Sequence, residues 1–310
     1  MRKLMNIAVL VVVAGSALVL GQAGDASKVL ADMRTALGGA DKVAAVKTLT
    51  AVGLTQRTNA EGATSESEVA LAMELPDKYV ARTVLANLGS MSVYRNAGFN
   101  GASVINETET PPNLSGGAHM IMIREDDGDT PSAEQKAASE MRMLLAAKKD
   151  FARMTVGMFG SSFDAFPLQF TYAGQAESVD GKAHVIGLTG PDGFDARLFV
   201  DAQTNLPLML SWSDKEPLQM VQMINRGGGP GGGRGAQTMM ADAQARSSEA
   251  EANRRTVEYR IYYSNFKTVD GVKLPHTMQR SVDGKTTEET TFDRIKINPK
   301  IDSKRFAISK

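Results

Sequence analysis

The side chains that could catalyse a reaction or bind a metal are few in this chain and stand far apart. The three histidines, His119, His184 and His276, fall in different predicted elements, and none of them forms an HxH or HxxxH pair. Asp180 has a ligand-like spacing to His184, but it lies in a predicted turn rather than on a shared helix. The spacing therefore favours solvated or hydrogen-bonded histidines over a metal pair or a general base.

Two other motifs lack the residues that their chemistry needs. Gly160-Ser161-Ser162 follows a predicted helix, whereas the nucleophilic serine of a hydrolase lies on a strand-to-helix turn. In the acidic run 124–129, a calcium loop that starts at Asp127 would have Ala138 at its twelfth position, where an EF-hand needs a bidentate glutamate. The run is better interpreted as a solvated loop. We therefore expect no enzyme activity, no metal and no cofactor.

The composition indicates a globular chain without a strong charge preference. The 310 residues include 35 basic and 35 acidic ones, so nucleic acid and anionic surfaces are not favoured as main partners. A hydrophobic content of 42% is enough for the core of one large domain. The sequence has no cysteine, which excludes disulfides, a thiol nucleophile, a zinc-thiolate site and a lipidated cysteine.

The first residues have the pattern of a secretory signal peptide. Arg2 and Lys3 precede an apolar run at 7–20, and small residues follow it. We predict that residues 1–23 are a cleaved signal peptide and that 24–310 form a single domain, periplasmic or secreted and not an integral membrane protein. The alternative is an uncleaved membrane anchor, for which the run is short.

Alternation of apolar and polar residues predicts antiparallel hairpins on both sides of the chain's middle. The clearest case is 256–310, a predicted three-stranded meander with turns at Asp270-Gly271 and Asp283-Gly284, the strongest short hairpin signal. Strands are also predicted within 168–212, and the first hundred residues combine a short helix at 27–37 with further hairpins. The predicted fold is therefore mainly β.

One long helix interrupts the strands. Helical spacing extends over 132–159, and Thr130-Pro131 offers an N-cap and a proline at the first helical position. The apolar residues of this helix fall on one stripe: Ala137, Met141, Leu144, Leu145, Phe151, Ala152, Met158 and Phe159.

A low-complexity insertion is predicted at 213–255, where it interrupts a hairpin. Its centre, 226–235, is rich in glycine. A phosphate-binding loop needs a strand before the glycines, a helix directly after them and usually a Lys-Ser/Thr pair, and the sequence has none of these. A flexible insertion is the better interpretation.

The order of these elements resembles that of the periplasmic outer-membrane lipoprotein carriers and their lipoprotein-sorting relatives, the LolA-like proteins. The motifs that support the resemblance are turn sequences in a shared order: 75–79, 99–101, 199–207, 266–275 and 295–299. The resemblance implies an incomplete β-barrel, in which helices cover the concave face of a strongly curved antiparallel sheet and that face holds acyl chains. The segments 107–129 and 213–255 depart from the family's pattern.

The resemblance and the apolar stripes together predict a lipid-binding site. We expect a periplasmic protein that binds a lipid or a lipidated protein in an apolar concave cavity, alone or as a carrier. The residues expected to line or cover that cavity are Met141, Leu144, Leu145, Phe151, Met158, Val257, Tyr259, Ile261 and Tyr263. Two alternatives stay open: the same side chains fill a dry core, or the sheet serves a protein-interaction or envelope-sensor module without lipid cargo.

Overall fold

The computed structural model describes residues 22–59, 61–88, 91–109, 132–179, 181–216 and 254–307. Several sequence predictions fall outside these ranges. They concern residues 1–21 of the predicted signal peptide, His119, the acidic run 124–129 and the glycine-rich segment 226–235.

Strands make up most of the described chain. The three α-helices are α1 (Gln22–Ala36), α2 (Ala40–Ala44) and α3 (Ala133–Phe159), with short 3-10 helices at Pro191–Gly193 and Ser303–Phe306. The twelve strands are β1 (Thr48–Thr58), β2 (Thr64–Glu74), β3 (Lys78–Leu88), β4 (Met91–Asn100), β5 (Ser103–Glu109), β6 (Gln169–Ser178), β7 (Gly181–Gly190), β8 (Phe194–Asp201), β9 (Pro207–Lys215), β10 (Thr256–Val269), β11 (Val272–Val282) and β12 (Lys285–Ile297).

All twelve strands belong to one antiparallel sheet that does not close. Their order is β5-β4-β3-β2-β1-β12-β11-β10-β9-β8-β7-β6, so consecutive strands lie side by side, except that β5 and β6 form the two edges and β1 pairs with β12. That pairing joins the first five strands to the last seven, with Leu49 opposite Ile297 and Arg57 opposite Glu288. The predicted mainly β fold, an incomplete barrel with helices, is confirmed.

The predicted Asp-Gly turns are present in the last meander. Asp270 and Gly271 have φ of 48° and 83°, and Asp283 and Gly284 have φ of 47° and 76°, so both central residues of each turn are left-handed. The predicted insertion, in contrast, starts too early. Residues 213–215 belong to β9, and the Glu216 amide donates to the Arg255 carbonyl oxygen at 2.9 Å.

The long helix begins two residues later than the N-cap signal predicted. Ser132 is the N-cap, because its hydroxyl accepts from the Gln135 amide at 3.1 Å while the Gln135 side chain accepts from the Ser132 amide at 2.8 Å. The helix ends at Gly160, whose φ of 59° is left-handed. This reciprocal cap satisfies two backbone amides at the start of α3.

The helices and the concave face of the sheet share one hydrophobic core. Met33 of α1, Leu37 directly after it, and Phe151 and Met158 of α3 are buried in the same cluster as side chains from both halves of the sheet. On the opposite face, the 3-10 helix at Ser303–Phe306 covers a separate small cluster. The core thus lies between the curved sheet and the two longer helices.

Gly53 tests the close approach of β1 and β12. The register shifts beside this residue, and a Cβ atom there would overlap the carbonyl oxygen of Thr291. We expect Gly53→Ala to lower the free energy of unfolding by roughly 1–3 kcal/mol in urea denaturation, because the two backbones must separate. Gln56→Ala, an exposed change on the same strand, should stay within about 0.5 kcal/mol. Equal stabilities would show that the strands are not this close.

Candidate functional site

Most of the predicted helical residues face the core, and one does not. Phe151 and Met158 are fully buried, Leu144 is buried, and Leu145 is half-buried against the same cluster. Met141 is 64% exposed, so its side chain does not line the concave face. The first two turns of α3 are largely exposed, and the stripe becomes a buried face only further along the helix.

The four predicted residues of β10 share one face, and that face points inward. Val257, Ile261 and Tyr263 are buried, and Tyr259 is half-buried. The Tyr259 ring stacks on Trp212 with 5.3 Å between centroids and 10° between planes, and its hydroxyl donates to the Lys215 carbonyl oxygen at 2.8 Å. These side chains are packed against neighbours.

Tyr263 joins the middle of β10 to α3. Its hydroxyl donates to the Arg153 carbonyl oxygen at 3.0 Å, and its ring occupies the space where a side chain at Gly157 would lie. Burial raises the pKa of Tyr263, so the phenol stays protonated and remains a donor. The absence of a side chain at Gly157 is what allows the helix to approach the strand this closely.

Arg153 gives α3 a second attachment, to β8 and β9. Its guanidinium lies 4.1 Å from the Trp212 ring centroid and 5.6 Å from that of Phe194, and it donates to Asp150 at 3.0 Å. Burial lowers the pKa of Arg153 and Asp150 raises it, but an arginine stays protonated in either case. Its Nε is buried without a hydrogen-bond partner among the described residues. A cation is thus held over aromatic rings with its hydrogen bonding incomplete.

An aromatic cluster continues this interface toward β3 and β4. Phe151 lies 5.3 Å from Phe99 and 5.9 Å from both Tyr79 and Phe163, measured between ring centroids. Phe163 also lies 6.2 Å from Phe159, at the end of α3. The rings form a continuous apolar path from the middle of α3 to the segment that follows it.

Two clefts open at opposite ends of β1. The α2 cleft, lined by residues 40–47 together with Leu75, Pro76, Phe159 and Phe163 among others, has a volume of ≈ 550 Å³. The arginine cleft, lined by Arg57, Arg280 and Glu288 and by residues of the β1–β2 turn, has a volume of ≈ 540 Å³. Neither is lined by any of the nine predicted residues, which are packed or, in the case of Met141, exposed.

The α2 cleft has apolar and charged lining residues. Val43, Val46 and Phe163 are among the apolar ones, and Arg34, Asp41 and Lys47 are the charged ones. Because Phe163 also contacts Phe151, the cleft reaches the aromatic cluster of the core. Its residues come from α2, the β2–β3 turn and the segment after α3, so no periodic pattern in the sequence marked them as one site.

The candidate catalytic residues remain apart. His184 lies 3.1 Å from the Tyr172 hydroxyl, and buried His276 lies 3.2 Å from the Leu274 carbonyl oxygen, on separate strands. Ser161, which lines the α2 cleft, donates to the Phe159 carbonyl oxygen at 3.2 Å. Within the described ranges, the structure contains no group of three or more His, Asp or Glu side chains that could hold a metal ion.

The fold and the clefts define an incomplete antiparallel barrel with a helical cover. No protein-family model matches the chain, and no curated protein matches its sequence. Several solved structures are similar to it over most of its length. A DUF1329 family protein from Desulfovibrio piger is 11% identical, with a TM-score of 0.47, covering 91% of this chain and 97% of that chain.

Two more of these structures have names that agree with the resemblance to lipoprotein-sorting proteins described from the sequence. A LolA superfamily protein from Nitrosomonas europaea is 10% identical, with a TM-score of 0.47, covering 91% of this chain and 97% of that chain. A domain described as an outer membrane lipoprotein-sorting protein, from Vibrio parahaemolyticus, is 11% identical, with a TM-score of 0.44, covering 92% and 97%. Similarity at this level does not establish a function. No helix of the described residues is long and apolar enough to cross a membrane.

Gly157→Ala tests the contact between α3 and β10. Helix propensity alone predicts a gain of about 1 kcal/mol from this change, whereas overlap with the Tyr263 ring predicts a loss of roughly 1–3 kcal/mol. We expect a loss in thermal or urea denaturation. Tyr263→Phe, which keeps the ring and removes the hydrogen bond, should cost about 1 kcal/mol.

The double variant Gly157→Ala/Tyr263→Ala serves as the control. With the ring gone, the alanine at 157 should no longer destabilise the chain relative to Tyr263→Ala alone. A stabilising effect of Gly157→Ala in the unchanged background would show that α3 does not rest on Tyr263.

Proposed function

We propose that this protein binds a lipid, or the acyl chains of a lipidated protein, between the concave face of the sheet and α3, and that it acts in the periplasm as a carrier. In this proposal residues 1–23 are a cleaved signal peptide, and the protein is neither an enzyme nor an integral membrane protein. The ligand would contact the inward-facing residues Leu144, Phe151, Met158, Ile261 and Tyr263.

The observation that carries the proposal is how the concave face is covered. A helix, not a second sheet, lies over it, and α3 follows edge strand β5 and precedes edge strand β6 in the chain. No strand pairing depends on α3, so the helix can move without breaking the sheet. Such a movement would expose a continuous apolar face that suits an acyl chain.

The α2 cleft supports an entry route for the ligand. Its volume of ≈ 550 Å³ lies within the range of small-molecule sites, about 300–1,000 Å³. Phe163 lines the cleft and lies 5.9 Å from Phe151 of the aromatic cluster, measured between ring centroids. Beyond that cluster the core contains Met33, Met154 and Met158, flexible side chains that repack around ligands of different shape.

The packed core favours a second candidate function. Because α3 fills the concave face, the same sheet could serve a protein-interaction or envelope-sensor module that carries no lipid. The two functions differ in one requirement: lipid binding needs α3 to move, and a protein-interaction surface on the outside of the sheet does not.

Fixing α3 to the sheet distinguishes these functions. The Asn106 side chain on β5 donates to the Met143 sulfur at 3.3 Å, and the chain has no cysteine of its own. In the variant Asn106→Cys/Met143→Cys, a short bismaleimide can therefore join α3 to β5 at this one place. The probe is an uncharged fluorescent fatty-acid ester, and its uptake is measured by fluorescence.

We expect the unchanged chain and the double variant before cross-linking to take up the probe, and the cross-linked variant to lose at least about tenfold in apparent affinity. Each single-cysteine variant treated with the same reagent is the control for modification alone. Equal uptake after cross-linking would contradict movement of α3. No uptake by the unchanged chain would contradict lipid binding and leave the protein-interaction module as the better account.

A further inference from the structure

Two arginines share one carboxylate at the end of the sheet where β1 turns into β2. Arg57 lies opposite Glu288 across the β1–β12 pairing, and Glu288 lies opposite Arg280 across the β12–β11 pairing. The Arg57 Nε is 3.0 Å from Glu288 Oε2, and the Arg280 Nε is 3.5 Å from Glu288 Oε1. Glu288 therefore pairs with both arginines.

This row of three side chains lies on the concave face, at its open end. Arg280 is also opposite Ile261, which is buried in the core. Residues two positions apart in a strand share a face, so Thr55 and Thr290 form the next row inward, with their buried hydroxyls 2.8 Å apart.

A third row continues the gradient toward the middle of the sheet. Val69, Gly53 and Phe292 lie side by side there, and the Val69 and Phe292 side chains are buried. From the open end inward, the concave face thus changes from charged to hydroxylic to apolar within three rows.

The cleft at the charged row is open and is formed mainly by polar residues. Its ≈ 540 Å³ are bounded by Arg57, Arg280 and Glu288, and also by Thr58, Asn59, Ala63, Thr64, Ser65 and Thr287. With two guanidinium groups and one carboxylate, its lining carries a net positive charge. An anion entering the cleft is attracted by that excess.

The terminal amino groups of both arginines are available to a ligand. Each arginine meets Glu288 through Nε, and neither donates a hydrogen bond from its terminal nitrogens to a residue that the structure describes. The Arg57 side chain is 48% exposed and that of Arg280 is 40% exposed. Burial lowers the pKa of Arg280, and the carboxylates of Asp150 and Glu288 raise it by more, so the group stays charged.

We propose that the arginine cleft binds a phosphate group through the terminal nitrogens of Arg57 and Arg280. Each guanidinium group can donate two hydrogen bonds. Two such groups on neighbouring strands suit a tetrahedral phosphate, which has several acceptor oxygens, better than they suit a planar carboxylate, which has two. Ser65 lies opposite Arg57 across the β1–β2 pairing, so its hydroxyl group is on the same face and is a further donor. The phosphate is either a free anion or the headgroup of an amphiphile whose tail lies along the hydroxylic and apolar rows. The phosphate contact with the two arginines does not depend on the movement of α3.

Titration calorimetry with sodium phosphate at low ionic strength tests the site directly. We expect the unchanged chain to bind, more weakly as salt is raised. Arg57→Gln and Arg280→Gln should each weaken binding about tenfold or more, because each removes a charge-assisted contact. Glu288→Gln should tighten it severalfold, because the competing carboxylate is gone.

Arg82→Gln is the matched control. Arg82 is also paired with a carboxylate, that of Glu109 at 3.0 Å, but it does not line the cleft. Its loss should leave phosphate binding unchanged. Circular dichroism of each variant shows whether it is folded, and Arg57→Gln, a change at a half-exposed side chain, is expected to fold even if Arg280→Gln does not.

A second titration distinguishes the two sources of phosphate. A short-chain phosphatidic acid kept below its micelle concentration is compared with inorganic phosphate and with a phosphatidylcholine that has the same chains. Tighter binding of the phosphatidic acid supports a headgroup, and equal binding supports a free anion. The proposal is overturned if neither inorganic phosphate nor the phosphatidic acid binds, or if Glu288→Gln weakens binding as the arginine variants do. If phosphate binds but the uncharged ester is not taken up, the phosphate site is supported and the proposed lipid binding beneath α3 is not.

Discussion

The burial of the concave face beneath α3 is the contact on which the rest of this structure depends. An open sheet of twelve strands with an apolar concave face must cover that face, and here the cover is α1 and α3, which belong to no strand pairing. The Tyr263 ring against Gly157 and the Arg153 guanidinium over Trp212 hold α3 in place. Fold stability and access to the interior are therefore properties of the same interface.

That interface combines close packing with incomplete polar satisfaction. The aromatic cluster around Phe151 packs as a protein core does, whereas the Arg153 Nε is buried without a partner among the described residues. A buried cation with an unmade hydrogen bond costs free energy in the closed state. The unmade hydrogen bond of Arg153 therefore lowers the free energy needed to lift α3 from the sheet. The proposed function requires such a movement of α3.

Short sequence patterns predicted the strands and turns whose geometry is set by neighbouring residues. The alternation in 256–263 and the two Asp-Gly turns specified β10 to β12, because the period of two and left-handed φ values are properties of short segments. The sequence did not predict the exposure of Met141. Helical spacing shows which residues share one side of a helix, but it does not show which turns of the helix pack on the sheet. The arginine cleft was also missed, because Arg57 and Glu288 meet only through the β1–β12 pairing.

In the proposed function the face beneath α3 holds an acyl ligand, so the purified protein should contain one. The measurement is native mass spectrometry of the full chain purified from a bacterial periplasm, followed by identification of the compounds released on denaturation. We predict an acyl-containing ligand bound at close to one per chain. A protein that is consistently empty, in a preparation where a known lipid-binding protein retains its ligand, would contradict it.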